Sequence, residues 1–169
     1  MCSSDLSSAR SMAAALLAYD ARVTTDQRSG LTIGDVFGDG SNGASDHALA
    51  SGEMIRAVQL PPPLPGERAL YKRAISRSHA EWPLVEVCAR AVVSAGAFQF
   101  IRITAGGIAP IPLRLSASEA ALQGQPANPG TIANAARQAI AGARPLPMTG
   151  YKLDLLSGLV QDLLERLAM

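Results

Sequence analysis

The chain has 169 residues, of which 48% are hydrophobic, 17% charged and 4% aromatic, with a formal net charge of +1. That length fits one ordinary globular domain, or one domain with a tail. The near-neutral charge removes any electrostatic case for nucleic acid or an anionic membrane surface, the scarce aromatics argue against a base-stacking surface, and no apolar run approaches the roughly 20 residues of a membrane-spanning helix.

The first six residues, Met-Cys-Ser-Ser-Asp-Leu, are expected to be a non-native junction, because Cys-Ser-Ser-Asp-Leu is one translation of a common sequencing-adapter string. The alternative is a genuine helix N-cap, for which Ser and Asp are suited. Ser7–Tyr19 is rich in Ala, Leu and Met and lacks Gly and Pro, so it predicts a helix, with Met12, Ala13, Leu16 and Leu17 on its buried face. Its apolar part is short and follows no cationic stretch, so no secretory signal is expected. Two distant cysteines, Cys2 and Cys88, suit a reducing, cytoplasmic compartment rather than a disulfide framework.

Two short strands follow, Ala21–Thr25 and Gly30–Ile33, joined by a turn at Asp26–Ser29, and then one helical turn at Gly34–Phe37. Asp35–Asp46 is rich in Gly and Asp but lacks the ligand spacing of a calcium loop, and reads as a loop with Asx turns. Ile55–Leu60 predicts a strand, and Pro61–Pro65 a stiff extended connector, since each Pro fixes its φ.

The segment from Ala69 to Arg114 organises the chain. Its apolar runs Trp82–Ser94 and Ala97–Thr104 flank a turn at Ala95–Ala97 and predict an antiparallel hairpin. Gly106, Gly107, Pro110 and Pro112 end the sheet. Ser116 and Glu119 carry the spacing of a capping box, for a helix ending at Gly124. Thr131–Ala141 predicts a second helix and Lys152–Leu167 a third, whose leucines recur at i, i+3 and i+4 and are expected to pack onto the sheet. The expected fold class is α+β, a small antiparallel sheet packed against C-terminal helices.

Few residues carry recognisable chemistry. His47 and His79 have no partners at metal-ligand spacing, and Ser78, His79 and Asp46 form a triad on paper without a nucleophile elbow. Cys88 lies in an apolar strand and reads as an inert core thiol. No dinucleotide or Walker loop is present, and Ala105-Gly106-Gly107 follows a strand where it lets the backbone turn. The remaining cluster is Arg73, Arg77, Glu81 and Trp82; on an extended chain Arg73 and Arg77 share a face, at the least as a solvated ion-pair network.

Three ordered motifs carry a resemblance: Tyr71-x-Arg73-x-x-x-Arg77-x-x-x-Glu81-Trp82-Pro83-Leu84, then Arg102-x-Thr104-x-Gly106-Gly107-x-Ala109-x-Ile111-Pro112-x-Arg114, then Glu119-x-x-Leu122-x-Gly124. Together they resemble the C-terminal half of the FAD-binding subunit of molybdenum hydroxylases, the xanthine dehydrogenase and carbon monoxide dehydrogenase relatives. Leu49-x-x-Gly52-Glu53 ahead of a strand ending in Pro61 extends the resemblance toward the N-terminus. It implies residues 7–65 as the remnant of a second FAD-binding subdomain and residues 66–169 as the flavoprotein C-terminal domain. It implies an oxidoreductase component that passes electrons from iron–sulfur clusters through FAD to an acceptor. The implied partners are a molybdopterin-binding large subunit and a 2Fe-2S small subunit. It further implies that Ile55, Arg73, Arg77, Glu81 and Trp82 approach the flavin, with Trp82 near the isoalloxazine ring and Arg73 where the family often has Lys. The subdomain that grips the FAD pyrophosphate in the family has no counterpart here, so this chain alone is expected to bind FAD weakly. The competing reading is a non-enzymatic α+β docking domain.

Overall fold

The computed structural model describes residues 11–42, 45–75 and 83–169. The expected junction at residues 1–6 lies outside the described residues, as do Arg77, Ser78, His79, Glu81 and Trp82. Two antiparallel sheets share one helix. Helix α1 (Ser11–Ala18) leads into β1 (Arg22–Thr25), which pairs with β2 (Leu31–Thr32) on one side and β3 (Ile55–Gln59) on the other. Helix α2 (Ile33–Phe37) sits on this small sheet. The second sheet is a meander of β4 (Glu67–Ala74), β5 (Val85–Ser94), β6 (Ala97–Gly106) and β7 (Leu113–Arg114). Helices α3 (Ser116–Leu122), α4 (Pro129–Gln138) and α5 (Tyr151–Ala168) follow. The expected α+β class is the class observed.

The main core lies between the meander and the three C-terminal helices. Val85, Val87, Ala89 and Ala91 alternate along β5 toward one face, as a strand period of two requires. They meet Ile101 and Ile103 of β6 and Leu156, Val160, Leu163, Leu164 and Leu167 of α5. The leucine stripe of α5 is thus spent inside the chain. Burying one such side chain contributes about 1.5–3 kcal/mol.

Four expectations change. The hairpin is the middle of a four-stranded meander, because the basic segment before it is itself a strand: Glu67 to Ala74 pair residue by residue with Val92 to Val85. The strand expected from Trp82 begins at Val85. Pro83 has no N–H to give the ladder, and the Leu84 N–H closes the end of the β4–β5 pair on the Ala74 carbonyl at 2.8 Å. The capping box at Ser116 does not form. Leu115 occupies the cap position without a side-chain bond, and the Glu119 carboxylate instead accepts from the Ile103 N–H at 2.9 Å and from Arg114. A strand N–H beside a buried carboxylate has no water to turn to, so it takes the carboxylate. A capping box does form at Thr32 and Asp35, opening α2: Asp35 N–H donates to Thr32 Oγ1 at 3.0 Å, and Thr32 N–H to Asp35 Oδ2 at 2.7 Å. Finally, Met12 is exposed, and α1 buries Ala13, Ala14 and Ala18. Small residues let α1 approach a sheet crowded with arginines.

The hairpin turn is Ala95-Gly96, with φ of +51° and +73°. Two positive φ values make the tight turn whose twist matches the strands. The Asx turn expected in the Gly/Asp loop is present at Asp39, whose Oδ1 accepts from the Ser41 N–H at 2.9 Å.

Candidate functional site

The face of the meander opposite the core is polar. It presents Tyr71 and Arg73 from β4, Glu86, Cys88 and Arg90 from β5, Arg102, Thr104 and Gly106 from β6, and Arg114 from β7, by the ladder register. Helix α1 lies across this face. Thr104 Oγ1 donates to the Ala14 carbonyl at 2.7 Å, and Arg90 Nη1 to the Ala18 carbonyl at 3.3 Å. The second contact places a cation at the C-terminal end of α1, where the helix dipole favours it. Arg102 and Arg114 both hold Asp20, at 3.0 and 3.2 Å.

Arg90 anchors the arrangement. Its side chain is 3% exposed, and it grips Glu67 through two parallel bonds of 2.7 and 2.9 Å. Its guanidinium lies 4.6 Å from the Tyr19 ring centre and 5.1 Å from that of Phe100. The hydrogen bond from Arg90 holds the Glu67 carboxyl below its usual range, and the same bond raises Arg90. A planar fork between two aromatic faces is a geometry Arg meets and Lys does not.

Further along, Glu86 is fully buried. Its Oε2 accepts from the hydroxyls of Ser11 and Tyr71, the latter at 2.7 Å, while Oε1 has no partner among the described residues. The carboxylate lies over Gly106, its register partner, where any Cβ would collide with it. Gly107 is needed for two reasons: its φ is +76°, and a Cβ there would stand 2.8 Å from the Leu84 carbonyl oxygen. Burial pushes the Tyr71 phenol above its usual pKa; the Ser11 contact opposes this and Glu86 adds to it. Arg73 stands across the ladder from Glu86, on an exposed edge strand.

Of the five residues expected at the flavin, the structure describes two. Arg73 joins the Ser11–Tyr71–Glu86 group. Ile55 lies on the other sheet, in β3, an edge strand whose five residues are all exposed. Arg77, Glu81 and Trp82 lie outside the described residues. Sequence reasoning passed over Ser11 and Glu86. The available signal was the acid itself: a Glu inside an apolar run, on a strand buried on both faces, must have hydroxyl or cationic partners.

Two other expectations are located. Cys88 is buried, and burial pushes its thiol up to about 11, so it stays protonated and unreactive. His47 Nδ1 accepts from the Leu49 N–H at 3.2 Å, a loop-stapling role. Glu53, noted only as part of a motif, closes the small sheet. It accepts from Arg28 at 2.7 and 2.8 Å, from Thr25 at 2.6 Å and from the Ala50 N–H at 2.8 Å. These partners cover the carboxylate within an open loop and lower its pKa to about 2, Arg28 contributing most.

The exposed groups divide between the two sheets: Ile55 and Val58 present apolar side chains on β3, and Arg73 and Tyr71 a cation and a phenol on β4. No Gly-rich turn opens a helix among the described residues, so none of them forms a phosphate cradle of that kind.

The sequence model of the CO dehydrogenase flavoprotein C-terminal domain matches residues 69–167. The FAD-binding subunit PaoB of the Escherichia coli (strain K12) aldehyde oxidoreductase is 33% identical over 150 residues, 85% of this chain and 43% of that protein. Carbon monoxide dehydrogenase from Hydrogenophaga pseudoflava, in a form lacking the Mo-pyranopterin moiety of its cofactor, superposes with a TM-score of 0.77 at 25% identity, over 90% of this chain and 54% of the matched chain. Quinoline 2-oxidoreductase from Pseudomonas putida 86 shares the fold, with a TM-score of 0.79 at 20% identity over 98% of this chain and 58% of the other. The chain therefore spans about half the length of the proteins it matches.

Proposed function

Because this chain belongs to the CO dehydrogenase flavoprotein C-terminal domain family, we propose that it is the C-terminal part of the FAD-binding, electron-transferring subunit of a molybdenum hydroxylase. The observation that carries this reading is the extent of the match: residues 69–167 take in nearly the whole four-stranded meander and all three C-terminal helices. On this reading residues 7–65 are the remnant of a second FAD-binding subdomain and residues 66–169 the C-terminal domain. The working complex adds a molybdopterin-binding large subunit and a 2Fe-2S small subunit and operates in the cytoplasm.

FAD, when bound by the complete subunit, exchanges electrons between the iron–sulfur clusters and an acceptor. The chain's own residues bind and orient. Ile55 on β3 supplies apolar contact, Arg73 a permanent positive charge beside the ring, and Arg77, Glu81 and Trp82 complete the approach. Glu86 and Ser11 act behind them: they hold the Tyr71 hydroxyl and so fix the strand that carries Arg73.

The test is a pair of flavin titrations read by fluorescence quenching. The 169-residue chain is expected to bind FAD at least about 100-fold more weakly than the same chain extended by the upstream reading frame, since half a site forfeits the phosphate contacts. Tight binding by the short chain overturns the missing-half account. Failure of the extended chain to bind FAD overturns the flavoprotein reading itself.

A further inference from the structure

The connection between α4 and α5 contains a turn built against its own sequence. The Thr149 N–H and Oγ1 both donate to the Leu146 carbonyl, at 3.0 and 2.8 Å. Pro147 is second in this turn and Met148 third, with φ of +65°. Proline suits the second place, but a positive φ in the third normally takes Gly, because a Cβ there is strained. Here a long apolar side chain stands in the glycine place and is 95% exposed, so the chain gains no burial from it. Leu146 and Tyr151 on either side are exposed as well. Arg144, also exposed, makes no ion pair among the described residues. A strained, solvent-facing methionine between exposed apolar neighbours has the form of an interface anchor, and Met and Arg are both enriched at such contacts.

Position and charge select the occupant. The turn lies on the helix side of the meander, where Leu146 and Thr149 sit beside Leu153 and Leu156. Tyr71, Arg73 and α1 are on the other face. On the flavoprotein reading, on which this inference rests, the upstream half of the subunit joins ahead of α1 and the 2Fe-2S subunit must approach the flavin, both on that other face. A second copy in a two-fold contact centred on the turn brings Arg144 against Arg144, and like charges set together oppose association. We propose that this turn docks on the molybdopterin-binding large subunit, with Met148 seated in an apolar socket of that subunit whose edge carries a carboxylate for Arg144.

The test uses the complete subunit, this chain extended by the upstream reading frame, titrated separately with the purified large and small subunits of its source. Binding is read by interferometry and by amide exchange. The amides of Met148, Gly150 and Tyr151 are expected to slow on adding the large subunit and not the small one. Met148→Gly is the decisive variant, because it removes the side chain and the strain together. It is expected to leave the unfolding temperature of the free subunit unchanged or higher, and to weaken large-subunit binding about tenfold. Arg144→Glu is expected to weaken it by a similar factor without loss of folding, since Arg144 is exposed and unpaired. A Met148→Gly variant that binds like the parent, or that unfolds at a lower temperature, overturns the proposal. So does protection of the turn by the small subunit alone or by self-association. A complete subunit that binds FAD but not the large subunit overturns the docking and leaves the flavoprotein reading in place; one that binds neither overturns both.

Discussion

The two sheets of this protein are held in different ways. Among the described residues, eighteen buried apolar side chains join the β4–β7 meander to α3, α4 and α5, while four join β1–β3 to α1 and α2. At a few kcal/mol per large side chain, the first set makes a core that stands by itself and the second does not. The small sheet is secured by polar means instead: Glu53 with Arg28 and Thr25 inside it, and Arg90, Arg102 and Arg114 reaching from the meander to the Ala18 carbonyl and to Asp20, just ahead of β1. The same division runs through a single strand. Along β5, Val85, Val87 and Ala89 face the helices, and Glu86, Cys88 and Arg90 face α1. Apolar contacts give the C-terminal unit its stability, while charged contacts give the N-terminal unit its placement.

The sharpest way to break that contrast is in the core. Phe98 is fully buried, and Phe98→Ala is expected to cost about 3–5 kcal/mol and unfold both sheets together in urea. Unfolding of the small sheet alone would show that it does not lean on the meander. Next in size is the Arg90 anchor. Glu67→Gln removes the partner of a cation that is 3% exposed, and is expected to cost about 3 kcal/mol. It should also raise protease cleavage around Tyr19 and Asp20, which Arg90 and its neighbours hold. A cost below about 1 kcal/mol would mean that the two aromatic faces suffice without the carboxylate.

The smallest effect is local and depends on pH. The Glu53 carboxyl is depressed from 4.5 to about 2 in the folded chain. A depressed carboxyl contributes stability that is fully present above its unfolded value and lost as pH falls through the folded one. Amide exchange of β1 and β3 should therefore accelerate between about pH 4.5 and pH 2, while the meander stays protected. In Glu53→Gln, exchange in these strands should be faster at neutral pH and flat across that window; an unchanged profile would remove Glu53 as the closure of the small sheet.

Much of the fold was legible along the chain. Every described helix and strand except β4 and β7 was anticipated within a few residues, because hydrophobic period and Gly/Pro punctuation are local quantities; β7 pairs with β6 just beyond the prolines that were expected to end the sheet. Strand β4 was missed because Arg68, Lys72 and Arg73 disguise it: it is an edge strand whose polar groups serve as contacts, not as solvent exposure alone. The site divided along the same line. Arg73 and Ile55 came from a resemblance carried by motifs, but no motif holds Ser11 or Glu86, which are 75 residues apart.

Composition and spacing alone were enough for the α+β class, the meander's central hairpin and the leucine stripe of α5, while the family came from the resemblance that the ordered motifs carry. Each of these rests on neighbours within a turn or a strand pair. Folding in three dimensions decided the partners of the charges. Ser116-x-x-Glu119 had the spacing of a cap, yet Glu119 turned to Ile103 and Arg114; Thr32-x-x-Asp35, which went unremarked, formed one. A carboxylate binds whichever donors burial leaves without water, and burial is set by elements distant in the chain.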